Sequence, residues 1–122
     1  MTVSILLPTR KRVPLLKKCV ESLLDNASDP TKIQLLFGVD DDDPETIDYL
    51  KDFKHPARSV IKFQRQGYEN LHLYNNSLAS YAQGLWIMFF NDDAIMKTKN
   101  WDLEINKFDG QFKLLKVREQ TG

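Results

Sequence analysis

The sequence is poor in several features that would mark a functional class. It holds one cysteine in 122 residues, which rules out an internal disulfide and a cysteine-built zinc site. Neither sign of charge is in excess, since 17 Lys and Arg balance 17 Asp and Glu. Without a basic surplus, neither nucleic acid nor an anionic membrane is indicated as a partner. No apolar run approaches the roughly 20 residues of a membrane span. The first residues, Met1-Thr2-Val3-Ser4-Ile5-Leu6-Leu7, lack the charged region and cleavage site of a signal peptide and run straight into a strand pattern. A cytoplasmic location is therefore expected. Repeats, low-complexity segments and linkers are also missing.

What is present fits one globular domain with a real core. Apolar residues make up 42% and charged residues 28%, an ordinary globular balance. At this length roughly two-thirds of the unfolded surface can be buried.

The most informative stretch is Gly84-Leu85-Trp86-Ile87-Met88-Phe89-Phe90-Asn91-Asp92-Asp93. An unbroken apolar run from Leu85 to Phe90 predicts a central strand, buried on both faces, in a parallel sheet. Ligands of open α/β sheets bind beyond the carboxyl ends of the strands, where Asn91, Asp92 and Asp93 would lie. Adjacent carboxylates raise one another's pKa. A divalent cation removes that conflict, and hard oxygen ligands suit magnesium or manganese. A solvated turn that caps the next helix is the alternative.

In chain order, Val3 to Leu7 predicts a strand ended by Pro8. The basic loop Pro8-Thr9-Arg10-Lys11-Arg12 follows, either a phosphate or nucleotide contact or a solvated face. Pro14 to Asn26 predicts a helix, with Leu15, Leu16, Cys19, Val20, Leu23 and Leu24 on one side. Cys19 lies on that stripe and is expected in the core. Ile33 to Val39 predicts the second strand, which runs into Asp40-Asp41-Asp42-Asp43-Pro44. Asp43 before Pro44 predicts a helix N-cap, which leaves Asp40 and Asp41 at the strand tip without a structural duty. A short helix follows, carrying Ile47, Leu50 and Phe53. His55 stands before Pro56 in a turn pattern, which disfavours a metal-ligand role. Ser59 to Phe63 predicts a third strand and Leu71 to Gln83 a third helix, with Gly84 as its C-terminal residue. Trp101, Ile105 and Phe108 predict a last short helix, and Phe112 to Val117 a final strand.

Strands alternating with helices mean crossover connections and a mainly parallel sheet. The expected class is α/β, a three-layer fold with helices on both faces of the sheet. Acids at the tips of strands two and four, and cations at the tip of strand one, share one edge of it.

Taken in this order and spacing, the motifs resemble the nucleotide-sugar-binding half of a GT-A glycosyltransferase, most like the inverting enzymes of family 2. The motifs are Pro8-Thr9-Arg10-Lys11-Arg12, Val39-Asp40-Asp41, Asn76, Ala82-Gln83-Gly84 and the aromatic strand ending in Asn91-Asp92-Asp93. The resemblance covers nearly the whole chain and implies one Rossmann-like nucleotide-sugar-binding domain over residues 1–122, ending before the acceptor-binding half. It implies that Pro8 and Thr9 contact the nucleoside, that Asp41 hydrogen-bonds the base, that Asp92 meets the ribose or sugar, and that Asp93, with Asp92, ligates Mn2+ or Mg2+. Arg12, Asp40 and Asn76 complete the motif set, and Arg65 joins it on position alone. The implied ligand is a nucleotide-diphosphate sugar, a UDP-sugar first, with an unknown acceptor.

The sequence also departs from the family pattern. Asn91 replaces the first acid of the usual DxD motif. Tyr74-Asn75-Asn76 stands where Ala-Arg-Asn is common, and Leu78 where glycine is frequent. The family's catalytic base lies in the acceptor half, so none is assigned here. Apolar surface left open by missing strands would favour a homo-oligomer. Two other readings stay open: a receiver-type phosphoacceptor domain, and a non-catalytic nucleotide-binding module.

Overall fold

The computed structural model describes residues 1–111. The expected final strand, Phe112 to Val117, lies outside them. The order is β1 (Val3–Thr9), α1 (Val13–Asp25), β2 (Ile33–Asp40), α2 (Pro44–Asp52), β3 (Arg58–Phe63), α3 (Leu71–Ala79), β4 (Trp86–Phe89) and α4 (Trp101–Asn106). Short 3-10 turns at Pro30–Lys32 and Tyr68–Asn70 precede β2 and α3. All strand pairs are parallel, and the sheet order is β3-β2-β1-β4.

The strand period of two divides the core. Val3, Ile5 and Leu7 of β1, with Ile33, Leu35, Phe37 and Val39 of β2, face one side. There they meet Leu16, Cys19 and Leu23 of α1, Leu50 of α2 and Trp101 of α4. Leu6 and Leu36 face the other side and pack on Leu78 of α3. Helices thus cover both faces, which is the three-layer arrangement expected. Asp43 caps α2 as its sequence implies, accepting from the Thr46 backbone N–H and, at 2.7 Å, from its hydroxyl. His55 is structural: its Nε2 meets the Pro30 carbonyl at 2.9 Å, and its Nδ1 accepts from the Ala57 N–H.

Three expectations are corrected. First, β1 does not stop at Pro8, which pairs with Gly38 inside the strand. The N–H groups of Trp86 and Phe90 bond the carbonyls of Thr2 and Leu6, so the even residues of β1 turn their backbone groups toward β4. Pro8 points the same way but lies past Phe89, the last residue of β4, and its missing N–H costs no ladder bond.

Second, β4 is not buried on both faces. Among the described residues it is an edge strand. Met88 is buried and Trp86 and Phe90 pack on the core, but Leu85, Ile87 and Phe89 are 74%, 47% and 66% exposed. The apolar run therefore serves two faces, of which α1 and α4 cover one. On the other face, among the described residues, α3 sits over β1 and β2 and leaves β4 bare.

Third, α3 ends at Ala79, and Gly84 is not its C-terminal residue. A Cβ on Gly84 would lie 2.6 Å from the Ser4 backbone nitrogen. Glycine is needed there for close approach to β1. The Ser4 hydroxyl accepts from the Gly84 and Gln83 N–H groups and donates to Gln34 Oε1. This buried polar knot fixes where β4 enters the sheet.

Candidate functional site at the carboxyl edge of the sheet

After β1 the chain moves to β2 on one side and later returns to β4 on the other. The gap between the carboxyl ends of β1 and β4 is the point where the strand order reverses, the usual ligand crevice of such sheets. A cavity of about 320 Å³ opens there, walled by the tips of β1, β2 and β4, the 65–68 loop and α3.

One residue of the β1 loop organises the charges. Lys11 adopts a left-handed conformation, φ 51°, and its N–H donates to Asp43 Oδ2 at 2.7 Å. A non-glycine residue there costs roughly 1–2 kcal/mol. The turn sends the flanking arginines to opposite sides. Arg10 reaches the β2 tip, 2.8 Å from Asp40 and bidentate on Asp42. Its hydrogen bond holds the Asp42 carboxyl below the usual range, and the Arg10 guanidinium is raised in turn.

Arg12 reaches the β4 tip, 3.3 Å from Asp92 and 3.8 Å from Asp93. Its guanidinium carbon lies 5.9 Å from the centre of the Tyr68 ring. The Arg12 pKa is raised, first by Asp92. Thr9 closes the gap between β1 and β4 by donating from Oγ1 to Asp92 Oδ2 at 2.9 Å. Beneath the β4 tip, Cys19 is in the core as expected. Burial, and then the charges of Asp92 and Asp93, push its thiol up to about 12, so it is no nucleophile at neutral pH.

Asp40 has a structural duty that its sequence position does not reveal. Both its oxygens are bound, one by Arg10 and the other by the Tyr74 hydroxyl at 2.5 Å. Burial, followed by that bond, raises the Tyr74 pKa, and the Gln66 N–H donates to the same hydroxyl at 2.8 Å.

Of the sequence-chosen residues, Pro8, Thr9, Arg12, Asp40, Arg65, Asp92 and Asp93 line the cavity. Asp41 and Asn76 are exposed and are not among the lining residues. Asn75, one place earlier on α3, lines it instead. Sequence reasoning placed Arg10 only within the basic loop, as a phosphate or nucleotide contact, and passed over Tyr68 and Tyr74 as site residues. The signal for Tyr74 was a hydroxyl on an otherwise apolar helix face.

For a metal, the donor set is small. Among the described residues no group of three or more His, Cys, Asp or Glu is placed to hold an ion. Asp92 is occupied by Thr9 and Arg12, while the Asp93 side chain is 52% exposed and meets Arg12 only at 3.8 Å. One free-facing carboxylate fits an ion that takes one or two protein carboxylates and completes its shell with phosphate and water, as magnesium does.

The sequence model described as Glycosyl transferase family 2 matches residues 4–113. The chain belongs to this family. That membership sets aside the receiver-type alternative. No curated protein matches. Among solved structures, TarS of S. aureus superposes with a TM-score of 0.76 at 15% identity, covering 89% of this chain and 20% of TarS. A TarS 1–349 structure in complex with UDP gives 0.73 at 15% identity, covering 89% and 32%. These likenesses establish a GT-A fold for the family 2 domain. The chain spans about a fifth to a third of the length of the solved structures it matches. Among the described residues no helix is long and apolar enough to cross a membrane.

Proposed function

We propose that this family 2 domain binds a nucleotide-diphosphate sugar, a UDP-sugar first, in the cleft between β1 and β4, as the donor half of a sugar transfer to an acceptor held elsewhere. One observation carries the reading. The Thr9–Asp92 hydrogen bond joins the two strand tips at the reversal point, with Arg12 and Asp93 beside it. Pro8 and Thr9 supply the nucleoside wall. Arg12 and Arg65 are cations within reach of a diphosphate, and Arg forks suit phosphate oxygens. Tyr68, 65% exposed, offers an aromatic face. Asp93 would hold Mg2+ or Mn2+, which would supply positive charge to offset that of a diphosphate leaving group. A cytoplasmic setting, where the cysteine stays reduced, suits this reading. The nucleotide in the TarS complex, UDP, supports the choice of base.

Thermal unfolding tests the proposal. UDP with manganese, at 100 times its dissociation constant, adds about 2.7 kcal/mol. In a domain this small that raises the melting temperature by on the order of 10 °C. Chelator should remove much of the gain, and Asp93→Ala should remove the metal-dependent part. If UDP, GDP and TDP with manganese all leave a folded sample unmoved, the donor-site reading fails.

A further inference from the structure

We infer that Arg12 and the metal ion compete for the acids at the tip of β4, and that the diphosphate settles the competition by drawing the arginine away. This rests on the donor-site reading above and names the residue that makes metal binding depend on the nucleotide.

The two arginines of the β1 loop are held differently. Arg10 is locked: its fork is bidentate on Asp42, it lies 2.8 Å from Asp40, and its side chain is 13% exposed. Arg12 makes no such fork. One nitrogen, Nη1, serves both acids, at 3.3 Å from Asp92 Oδ1 and 3.8 Å from Asp93 Oδ2. The other, Nη2, stands 3.5 Å from the Tyr68 hydroxyl, and the side chain is 39% exposed. Long, single contacts on a partly exposed side chain contribute little and exchange readily. The backbone beneath is fixed, because the Arg12 carbonyl accepts from the Leu16 N–H at 2.8 Å. Only the side chain is free to move.

The acids are arranged for an exchange. Thr9 donates to Asp92 Oδ2 and leaves Oδ1 to a cation. Asp93 opens the pair to solvent. The two oxygens that Nη1 faces are hard donors of the kind magnesium and manganese take. An ion on either would stand beside the guanidinium, and like charges at that range repel. The arginine must therefore swing out before an ion is well held, and without an anion it has no better partner to go to. A diphosphate supplies one. Arg12 lines the same cavity, and phosphate oxygens suit its fork better than two long contacts through one nitrogen do. Metal and nucleotide then strengthen each other's binding by the same factor.

The test uses the full chain and follows free Mn2+ by its electron paramagnetic resonance signal, with and without UDP. Without UDP, Arg12→Met and Arg12→Gln should each bind Mn2+ roughly fivefold tighter than the wild type, about the most that a partly exposed ion pair is worth. UDP should tighten Mn2+ binding in the wild type, and roughly fivefold less in either variant. Arg12→Lys keeps the charge and should restore the weak nucleotide-free binding. Lys11→Met removes a charge from an exposed side chain one residue away and should leave the nucleotide-free affinity near the wild-type value. Equal nucleotide-free affinity of the wild type and the uncharged Arg12 variants overturns the inference. So does a Lys11→Met protein that gains as much as they do, because net charge alone would then account for the effect. A wild type that takes up no Mn2+ even with UDP would strike the donor-site reading itself, a result distinct from each of these.

Discussion

Thr9 and Asp92 stand 83 residues apart in the chain and are joined by a hydrogen bond of 2.9 Å. That bond ties an inner strand of the sheet, β1, to β4, an edge strand among the described residues, at the mouth of the cleft. Asp92 is 8% exposed, and Thr9 and Arg12 are the side chains that reach its oxygens.

Thr9→Val keeps the shape of the side chain and deletes the donor. We expect a loss of about 1–2 kcal/mol, seen as a lower melting temperature, together with weaker UDP binding. Thr9→Ser keeps the hydroxyl and should retain most of both. Equal stability of the valine variant and the wild type would show that Arg12 alone satisfies Asp92.

Arg10→Met leaves Asp40, 3% exposed, with Tyr74 as its remaining side-chain partner. Leaving a buried carboxylate oxygen without its donor opposes folding. Urea unfolding should show an earlier midpoint with an unchanged slope. A midpoint within error of the wild type would mean that the Tyr74 hydroxyl is sufficient.

Gly84→Ala puts a methyl group into the backbone of β1 at Val3 and Ser4, at 2.6–2.8 Å. Backbone atoms of a central strand cannot give way as a flexible side chain does. The expected cost is about 3 kcal/mol, the upper end of overpacking. Gly67→Ala makes a contrast: nothing lies within 4 Å of its added Cβ, and only its φ of 83° is strained. With ψ at 162° that backbone is essentially glycine's alone, and the strain should cost about 1–3 kcal/mol.

Cys19 gives a signature in alkali. Its thiol keeps its proton in the folded state up to about 12, against 9.0 for the unstrained group. Below pH 9 both states are protonated, and its contribution to stability is fully present. Between pH 9 and 12 only the unfolded thiol ionises, so that contribution is lost as the pH rises. Stability in this window should fall more steeply for the wild type than for Cys19→Ala. At pH 8 iodoacetamide should leave the folded protein unmodified and alkylate it in denaturant.

Local features were legible in the sequence. Asp43 and Pro44 announce the start of α2 because a cap and its helix are neighbours in the chain. The stripe from Leu16 to Leu23 announces α1 in the same way. The family and the layer architecture were legible from motif order. What was not legible depends on distant partners. Six apolar residues from Leu85 to Phe90 do not say that α3 covers β1 and β2 and stops short of β4. The choice between Asn75 and Asn76 depends on the rotation of α3, which the Tyr74 hydroxyl fixes by reaching Asp40. The charges of Arg10 and Arg12 are plain in the sequence, but the left-handed turn at Lys11 decides which acids each one meets.

The strand order has a consequence for synthesis. β1 is made before β2 and β4 yet sits between them in the sheet. Asp92 follows Thr9 by 83 residues, and translation proceeds at about 5–20 residues per second. One edge of β1 therefore waits roughly 4–17 seconds for its second neighbour, with Leu6 and Pro8 turned toward the empty place. Over that interval Pro8, which has no N–H to offer, blunts the unpaired edge of the nascent strand against other chains.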